Sequence, residues 1–317
     1  MARAHHILIV APLHNESDRL ARFVEAVGNL RRLLPTSQYE VRLCLVEDGS
    51  TDDTFAQLQR LSASHDWIGH VRFTANFGHQ AALIGGLTEL GPWADAVVTM
   101  DADLEHPVEI IPQLLSHWEQ GCVVVNTVRR DHPELAWGKR LPSRLFYRLT
   151  ALLTGLTIVP GQADFRLWDA DVIRSLKEYL PNIGSLRVFA AWMPGRKAHV
   201  EFDQKVIPGR QSRFTFARNW EMAMISIMRF SQFPLRAITW IGVIGVVVSA
   251  AHALQIIYAI SRGEPMVAGW VTLILSIIFM GCLQLISLGI LASYLRRLVF
   301  SKDLPLFLVK SRKSVDQ

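Results

Sequence analysis

Three short acidic clusters carry the chemistry that the sequence can be made to yield. They are Pro12-Leu13-His14-Asn15-Glu16, Glu47-Asp48-Gly49-Ser50-Thr51-Asp52 and Asp101-Ala102-Asp103-Leu104-Glu105. Asp101 and Asp103 flank a single residue, a spacing that lets two carboxylates approach one hard cation, with Glu105 as a third oxygen. An all-oxygen donor set favours Mg²⁺ or Mn²⁺ over zinc. Such a cation would offset the charge of a departing diphosphate. His14, His79 and His106 lie beside the clusters, but their spacing makes no metal-binding pair. They read as rim or capping residues, with His14 best placed to stack under a base. Trp168 and Trp192 read as packing residues. No GxGxxG follows the first apolar run and no GxxxxGK[ST] occurs anywhere, so the phosphate cradles of dinucleotide dehydrogenases and P-loop ATPases are both missing.

Strand-end carboxylates also serve as ordinary turn and cap residues; function is indicated when several converge. The elements that would bring them together are β-rich runs at 7–10, 41–46, 71–74, 96–100 and 123–128, separated by helix-compatible stretches. That alternation predicts a parallel, doubly wound α/β sheet. In such sheets ligands bind beyond the carboxyl ends of the strands. The clusters follow the first, second and fourth runs and so share one rim. Residues 17–34 place Leu20, Phe23, Val24, Val27 and Leu30 at helical spacing. Ser50 is predicted to cap a helix beginning near Thr51.

Composition places part of the chain outside a water-soluble core. Of 317 residues, 50% are hydrophobic and only 19% charged, and mean hydropathy is +0.23. Residues 237–258 and 267–294 contain no Asp, Glu, Lys or Arg. At about 1.5 Å per residue, 22 helical residues cover roughly 33 Å, enough to span about 30 Å of hydrocarbon. His252, Gln255 and Gln284 within these segments read as helix-to-helix hydrogen-bond partners or interfacial groups. Arg229 and Arg236 precede the first segment and Arg296, Arg297 and Lys302 follow the second, which predicts that both chain ends are cytoplasmic. The net charge of +5 is concentrated in 296–317, a pattern that suits an anionic membrane surface better than nucleic acid. Residues 140–156 and 218–233 are amphipathic and suit either the membrane surface or packing on the sheet. Cys44, Cys122 and Cys282 are widely spaced, which predicts neither disulfides nor zinc and fits a reducing compartment. The apolar run at 7–12 lacks a cleavage signature and reads as a first strand, not a signal peptide. The predicted organisation is a catalytic domain at 1–210, a juxtamembrane helix at 211–236, two transmembrane helices at 237–295 and a basic cytosolic tail at 296–317.

Pro12-x-x-Asn15-Glu16, Glu47-Asp48-Gly49-Ser50, Asn76-Phe77-Gly78, Asp101-x-Asp103-Leu104 and Asp164-Phe165-Arg166-Leu167, in this order and followed by two apolar spans, resemble the family 2 glycosyltransferases. Within them the pattern is most similar to the polyprenyl-phosphate branch, with its bactoprenol glucosyltransferases and dolichyl-phosphate mannosyltransferases. The resemblance implies a glycosyltransferase-A fold that transfers a single sugar, with inversion, from a nucleotide diphosphate to polyprenyl phosphate at the cytosolic membrane face. UDP-glucose is the first choice of donor; GDP-mannose, UDP-GlcNAc or a modified sugar are the alternatives. It implies that Pro12, His14, Glu16 and Asp48 hold base and ribose, and that Asp101, Ala102 and Asp103 meet the diphosphate and its Mg²⁺ or Mn²⁺. Asp164 and Arg166 would act with Asp103 in catalysis, near sugar and acceptor. Arg129 matches a family arginine expected at phosphate, and Lys139, Arg140, Lys205 and Arg213 are further clamps.

Three positions depart from the family pattern: Glu105 replaces Gln, Ala163 replaces Gly, and Gly209-Arg210-Gln211-Ser212-Arg213 only loosely matches Gly-x-Ser-Lys. A homo-oligomer, tetrameric by resemblance, and no nucleic-acid partner complete this reading. The acceptor's phosphate, with a second pKa near about 6, is already largely anionic at neutral pH, so positioning and charge stabilisation should supply most of the rate. A processive synthase would need a QxxRW segment and more spans, and neither is present. A catalytically silent membrane adaptor built on the same fold is the rival from another class; its acidic motifs would have no work to do.

Overall fold

The computed structural model describes residues 3–130, 161–180, 185–203 and 307–314, with scattered positions between 251 and 295. The chain divides into two units. One comprises Met1–Tyr147, Leu156–Ser212 and Pro305–Gln317; the other comprises Arg148–Gly155 and Arg213–Leu304.

The first unit is a three-layer α/β structure. Its elements are β1 (His5–Leu13), α1 (Ser17–Leu33), β2 (Tyr39–Glu47), α2 (Thr54–Ser64), β3 (Ile68–Phe73), α3 (His79–Glu89), β4 (Ala96–Thr99), α4 (Ile111–Glu119), β5 (Val124–Arg129), β6 (Gln162–Asp169), α5 (Ala170–Leu176), α6 (Leu186–Trp192), β7 (Lys197–Phe202) and β8 (Val309–Lys313). The sheet order is β7-β5-β6-β4-β1-β2-β3-β8. β1 is central, and its residues Ile7 to Ala11 are wholly buried, because helices cover both faces of the sheet. α1 turns Leu20, Phe23, Val24, Val27 and Leu30 inward, the five positions that its spacing predicts. They share one core layer with Leu58 of α2 and Leu114 of α4; α3, α5 and α6 pack on the other face. α3 lies so close to the sheet that a Cβ on Gly86 would come within 2.3 Å of Val10 Cγ1.

Two features differ from the sequence expectation. The sheet is mixed: β1, β2, β3 and β4 are mutually parallel, but β6 runs antiparallel between β4 and β5. The start of β6, not its end, therefore lies at the rim where β4 and β5 finish. There the Arg129 N–H donates to the Gly161 carbonyl at 3.0 Å, closing the two ends of the 131–160 connection on each other. Part of the predicted basic tail is also a strand. β8 pairs antiparallel with β3, its Lys310 and Arg312 pointing to solvent.

In the second unit, Leu254, Tyr258, Leu273, Ile277, Leu288, Leu291 and Leu295 are helical and exposed. Among the described residues no helix is long and apolar enough to cross a membrane. The first uncharged segment lies mostly outside the described residues, the second is described only at scattered positions, and the stretches 140–156 and 218–233 lie outside them entirely.

Candidate active site

The loops after β1 and β2 are laced together by backbone groups. Asn15, in the left-handed region with φ of 55°, accepts from the Thr51 N–H at 2.9 Å, and its own N–H donates to Ser50 Oγ at 3.2 Å. The Glu16 N–H donates to Thr54 Oγ1 at 2.9 Å. The predicted cap is thereby corrected: Ser50 serves the β1 loop, and α2 starts at Thr54, whose N–H donates to Asp52 Oδ1 at 3.0 Å. Buried Glu47 accepts from the Ser50 N–H and from Arg72 Nε.

Asp48, also buried, carries this lacing to a third loop. Its two carboxylate oxygens accept from the Phe77 N–H at 2.7 Å and the Gly78 N–H at 2.8 Å. Gly49 makes the approach possible: its φ is +63°, and a Cβ there would lie 2.5 Å from both Ala75 C and Asn76 N. His14, exposed, is held between the Asp48 carbonyl at 2.9 Å and the Asn76 amide at 3.0 Å.

The next residues along the chain open a different kind of network. His79 Nε2 lies 3.2 Å from Asp101 Oδ1 and 3.7 Å from Asp164 Oδ2. Gln80 donates to Asp164 Oδ2 at 2.9 Å and accepts from the Leu186 N–H at 3.0 Å. Arg166 and Arg187 flank the same carboxylate at 3.4 and 3.7 Å. Burial opposes charge on the Asp164 carboxyl, but nearby His79 and the two guanidinium groups overcome it and hold the carboxyl well below the usual range. Burial also opposes charge on His79, yet the nearby carboxylates of Asp164, Asp101 and Asp103 push it up to about 9. Asp101 moves the other way: burial, reinforced by Asp164 and Asp103, outweighs His79 and His106 and raises it.

A profile of the family described as "Glycosyl transferase family 2" matches residues 8–176. The chain belongs to glycosyl transferase family 2. Nearly its whole length is also similar to named relatives. It is 33% identical to the bactoprenol glucosyl transferase of Shigella phage SfX over 97% of this chain and 99% of that protein. It is 30% identical to the prophage bactoprenol glucosyl transferase homolog of Escherichia coli K12 over 97% and 99% respectively. These relatives place it in the branch that the motifs suggested. Among solved structures it is similar to residues 1–349 of Staphylococcus aureus TarS in complex with UDP, with TM-score 0.44 and 13% identity over 70% of this chain and 64% of that one. The mixed sheet is the glycosyltransferase-A-like α/β fold of the family.

In this glycosyltransferase several predicted residues stand where the motifs put them. Pro12, His14, Glu16 and Asp48 line the rim after β1 and β2, Glu16 paired with Arg19 at 3.2 Å. Ala102 packs its methyl into the core, so only its backbone faces the rim chemistry. Asp101 keeps 31% of its side chain exposed while Asp103 is buried.

Two predicted residues make other contacts in the structure than those expected. Glu105 does not join Asp101 and Asp103 in a cage, and among the described residues no three His, Cys, Asp or Glu side chains are grouped to hold a metal ion. The reason is local: Leu104 has φ of 66°, and Asp103 Oδ1 turns back to accept the Glu105 N–H at 3.0 Å. Arg166, expected at the substrate, is 0% exposed and donates to the Leu186 and Ala163 carbonyls at 3.1 and 2.7 Å. These bonds hold it beside Asp164 and the start of α6. Arg129 is exposed at the end of β5, whereas Lys139, Arg140, Lys205 and Arg213 lie outside the described residues.

Sequence reasoning passed over Gln80 and Arg187 and gave His79 only a rim role. The His79-Gln80 pair directly after Asn76-Phe77-Gly78 was a signal available in the sequence. Arg187 had none, since only the fold of β6 against α6 brings it to Asp164.

Proposed function

We propose that this glycosyltransferase moves one sugar, glucose from UDP-glucose foremost, onto polyprenyl phosphate with inversion at the anomeric carbon. The observation that carries the reading is the near full-length similarity to bactoprenol glucosyl transferases, joined to a site whose Asp101 and Asp164 are bridged by one histidine. The loops around His14, Asp48 and Asn76 form the donor side. Asp101 and Asp103 fit a divalent ion such as Mg²⁺ or Mn²⁺: both are hard oxygen donors at the end of one strand, and Asp101 keeps part of its side chain exposed to the rim. Such an ion supplies neutralisation of the leaving diphosphate.

The protein's own residues do the rest. Half-buried Arg187, beside Asp164, draws the lipid phosphate toward the sugar, and Arg129 at the rim is a second cation for it. Asp164, kept ionised by Arg166, Arg187 and His79, orients the acceptor and does not need to act as a strong base, because the phosphate nucleophile is already anionic. The uncharged segments 237–258 and 267–294, and the exposed apolar side chains on the helical residues of the second unit, support a membrane protein with its catalytic unit in the cytoplasm. A polyprenyl tail leaves a bilayer at about 0.8 kcal/mol per CH₂, so the enzyme must meet its acceptor at the membrane.

The test is a panel of radiolabelled nucleotide sugars with polyprenyl phosphate, reading label that enters the lipid phase. Label from UDP-glucose, one sugar per lipid, is the expected result. Label from another donor alone changes the sugar. None from any donor, with the protein folded and metal present, overturns the proposal and favours the adaptor.

A further inference from the structure

After the uncharged segments the chain returns to the sheet at β8, directly behind the loop that joins the two halves of the site. The ring of Phe307 is buried and stacks on Phe73, with centroids 4.8 Å apart and planes 10° from parallel. Phe73 in turn meets Phe77 edge-on at 5.8 Å. The Leu308 carbonyl accepts from the Thr74 N–H at 2.9 Å, the last backbone bond before the Asn76-Phe77-Gly78 loop. Farther along β8, Arg312 pairs with Glu89 at the end of α3 at 3.0 Å, and Lys313 donates to the Ser62 carbonyl in α2. The strand is thus fixed to both elements that flank β3. No other described contact supports the 74–78 loop from this side as directly, and its Phe77 and Gly78 amides are the ones that hold Asp48.

We propose that Phe307 and the Leu308 carbonyl are positioning groups for the donor subsite: they press Phe73 and Thr74 into place so that the Phe77 and Gly78 amides meet Asp48. The last strand of the chain then sets how well the nucleotide sugar is held, although it touches no substrate. A ring removed at Phe307 leaves a void behind Phe73, and the loop loses register with Asp48 while β1 and β4 keep theirs. The inference rests on the reading of this rim as the donor subsite, so its test includes a measurement that needs no donor.

The experiment compares full-length wild type, Phe307→Ala, Phe307→Tyr and Lys310→Ala in lipid nanodiscs. Amide hydrogen exchange at 74–78 should rise at least about tenfold in Phe307→Ala, with β1 amides unchanged, and return to wild type in Phe307→Tyr. With UDP-glucose as the probe, KM for the donor should rise about five- to tenfold in Phe307→Ala while kcat stays within about twofold, and KM for polyprenyl phosphate should not move. Lys310→Ala, exposed on β8, should behave as wild type in every readout. Unchanged exchange at 74–78 overturns the inference whatever the donor is. So does faster exchange over the whole sheet with no rescue by Phe307→Tyr, the pattern of a merely structural role. A wild type that turns over no nucleotide sugar overturns the proposed function instead, and the exchange comparison still decides the role of Phe307.

Discussion

The two halves of the rim are held by different physics. Around His14, Asp48 and Asn76, backbone N–H groups bond to side-chain oxygens of Asn15, Ser50, Thr54 and Asp48, and one glycine allows the loops to touch. Around Asp101 and Asp164, two carboxylates are balanced by His79, Arg166 and Arg187. The first half is set by shape, and the second by charge. A half held by shape suffers when an atom is added and tolerates changes of pH; a half held by charge suffers when a charge is removed without change of shape.

The largest effect should come from Asp164→Asn, which keeps the shape and removes the charge. Arg166 is left buried beside a neutral amide, at a cost of about 3–5 kcal/mol. Turnover should fall on the order of 10²–10³-fold. Chemical denaturation and lipid-label assays on the same preparation check both, and a stable, active variant would break the comparison. The pH dependence follows with a definite sign. Because the folded state holds Asp164 below its ordinary value, its contribution is complete above about pH 4 and is lost as pH falls further. Asp164→Asn should therefore flatten the acid limb of the stability curve.

Next in size is Asp103→Asn, expected to lower turnover at least about tenfold at saturating Mn²⁺ by weakening charge neutralisation; near wild-type turnover would remove Asp103 from the metal site. On the shape side, Gly49→Ala places a methyl 2.5 Å from the Ala75–Asn76 backbone at a φ of +63°. It should cost about 1–3 kcal/mol, visible as a lower melting temperature that does not depend on pH between 5 and 8. The smallest effect belongs to Asn15→Gly, which keeps the left-handed backbone and loses only the two bonds that Asn15 Oδ1 accepts from the Thr51 N–H and hydroxyl. Less than about 1.5 kcal/mol is expected, and a larger loss would show that the β1 loop depends on more than this lacing.

How much of this was legible depends on the range of the interaction. α1 was read to its last inward residue because its solvent face makes a 3.6-residue period visible in a single stretch. The three acidic clusters could be placed on one rim because parallel strands put all their ends on the same side. Strand direction itself leaves no mark within a strand, so antiparallel β6 was missed. β8 was hidden by Lys310, Arg312 and Lys313, whose charge reads as a tail although they sit on the solvent edge of a sheet. The burial of Arg166 was foreshadowed by its neighbours Phe165, Leu167 and Trp168, all fully buried. Arg187 and Gln80 meet Asp164 only across the tertiary structure, and no window of sequence contains that meeting.

The bond between Arg129 and Gly161 has a consequence for how such enzymes diversify. Arg129 and Gly161, on either side of residues 131–160 in the sequence, meet at one point of the sheet. Insertions, deletions or wholesale replacement between those two posts need not disturb the packing of β5 on β6. Variation in sequence there leaves the framework that carries Asp101 and Asp164 as it is.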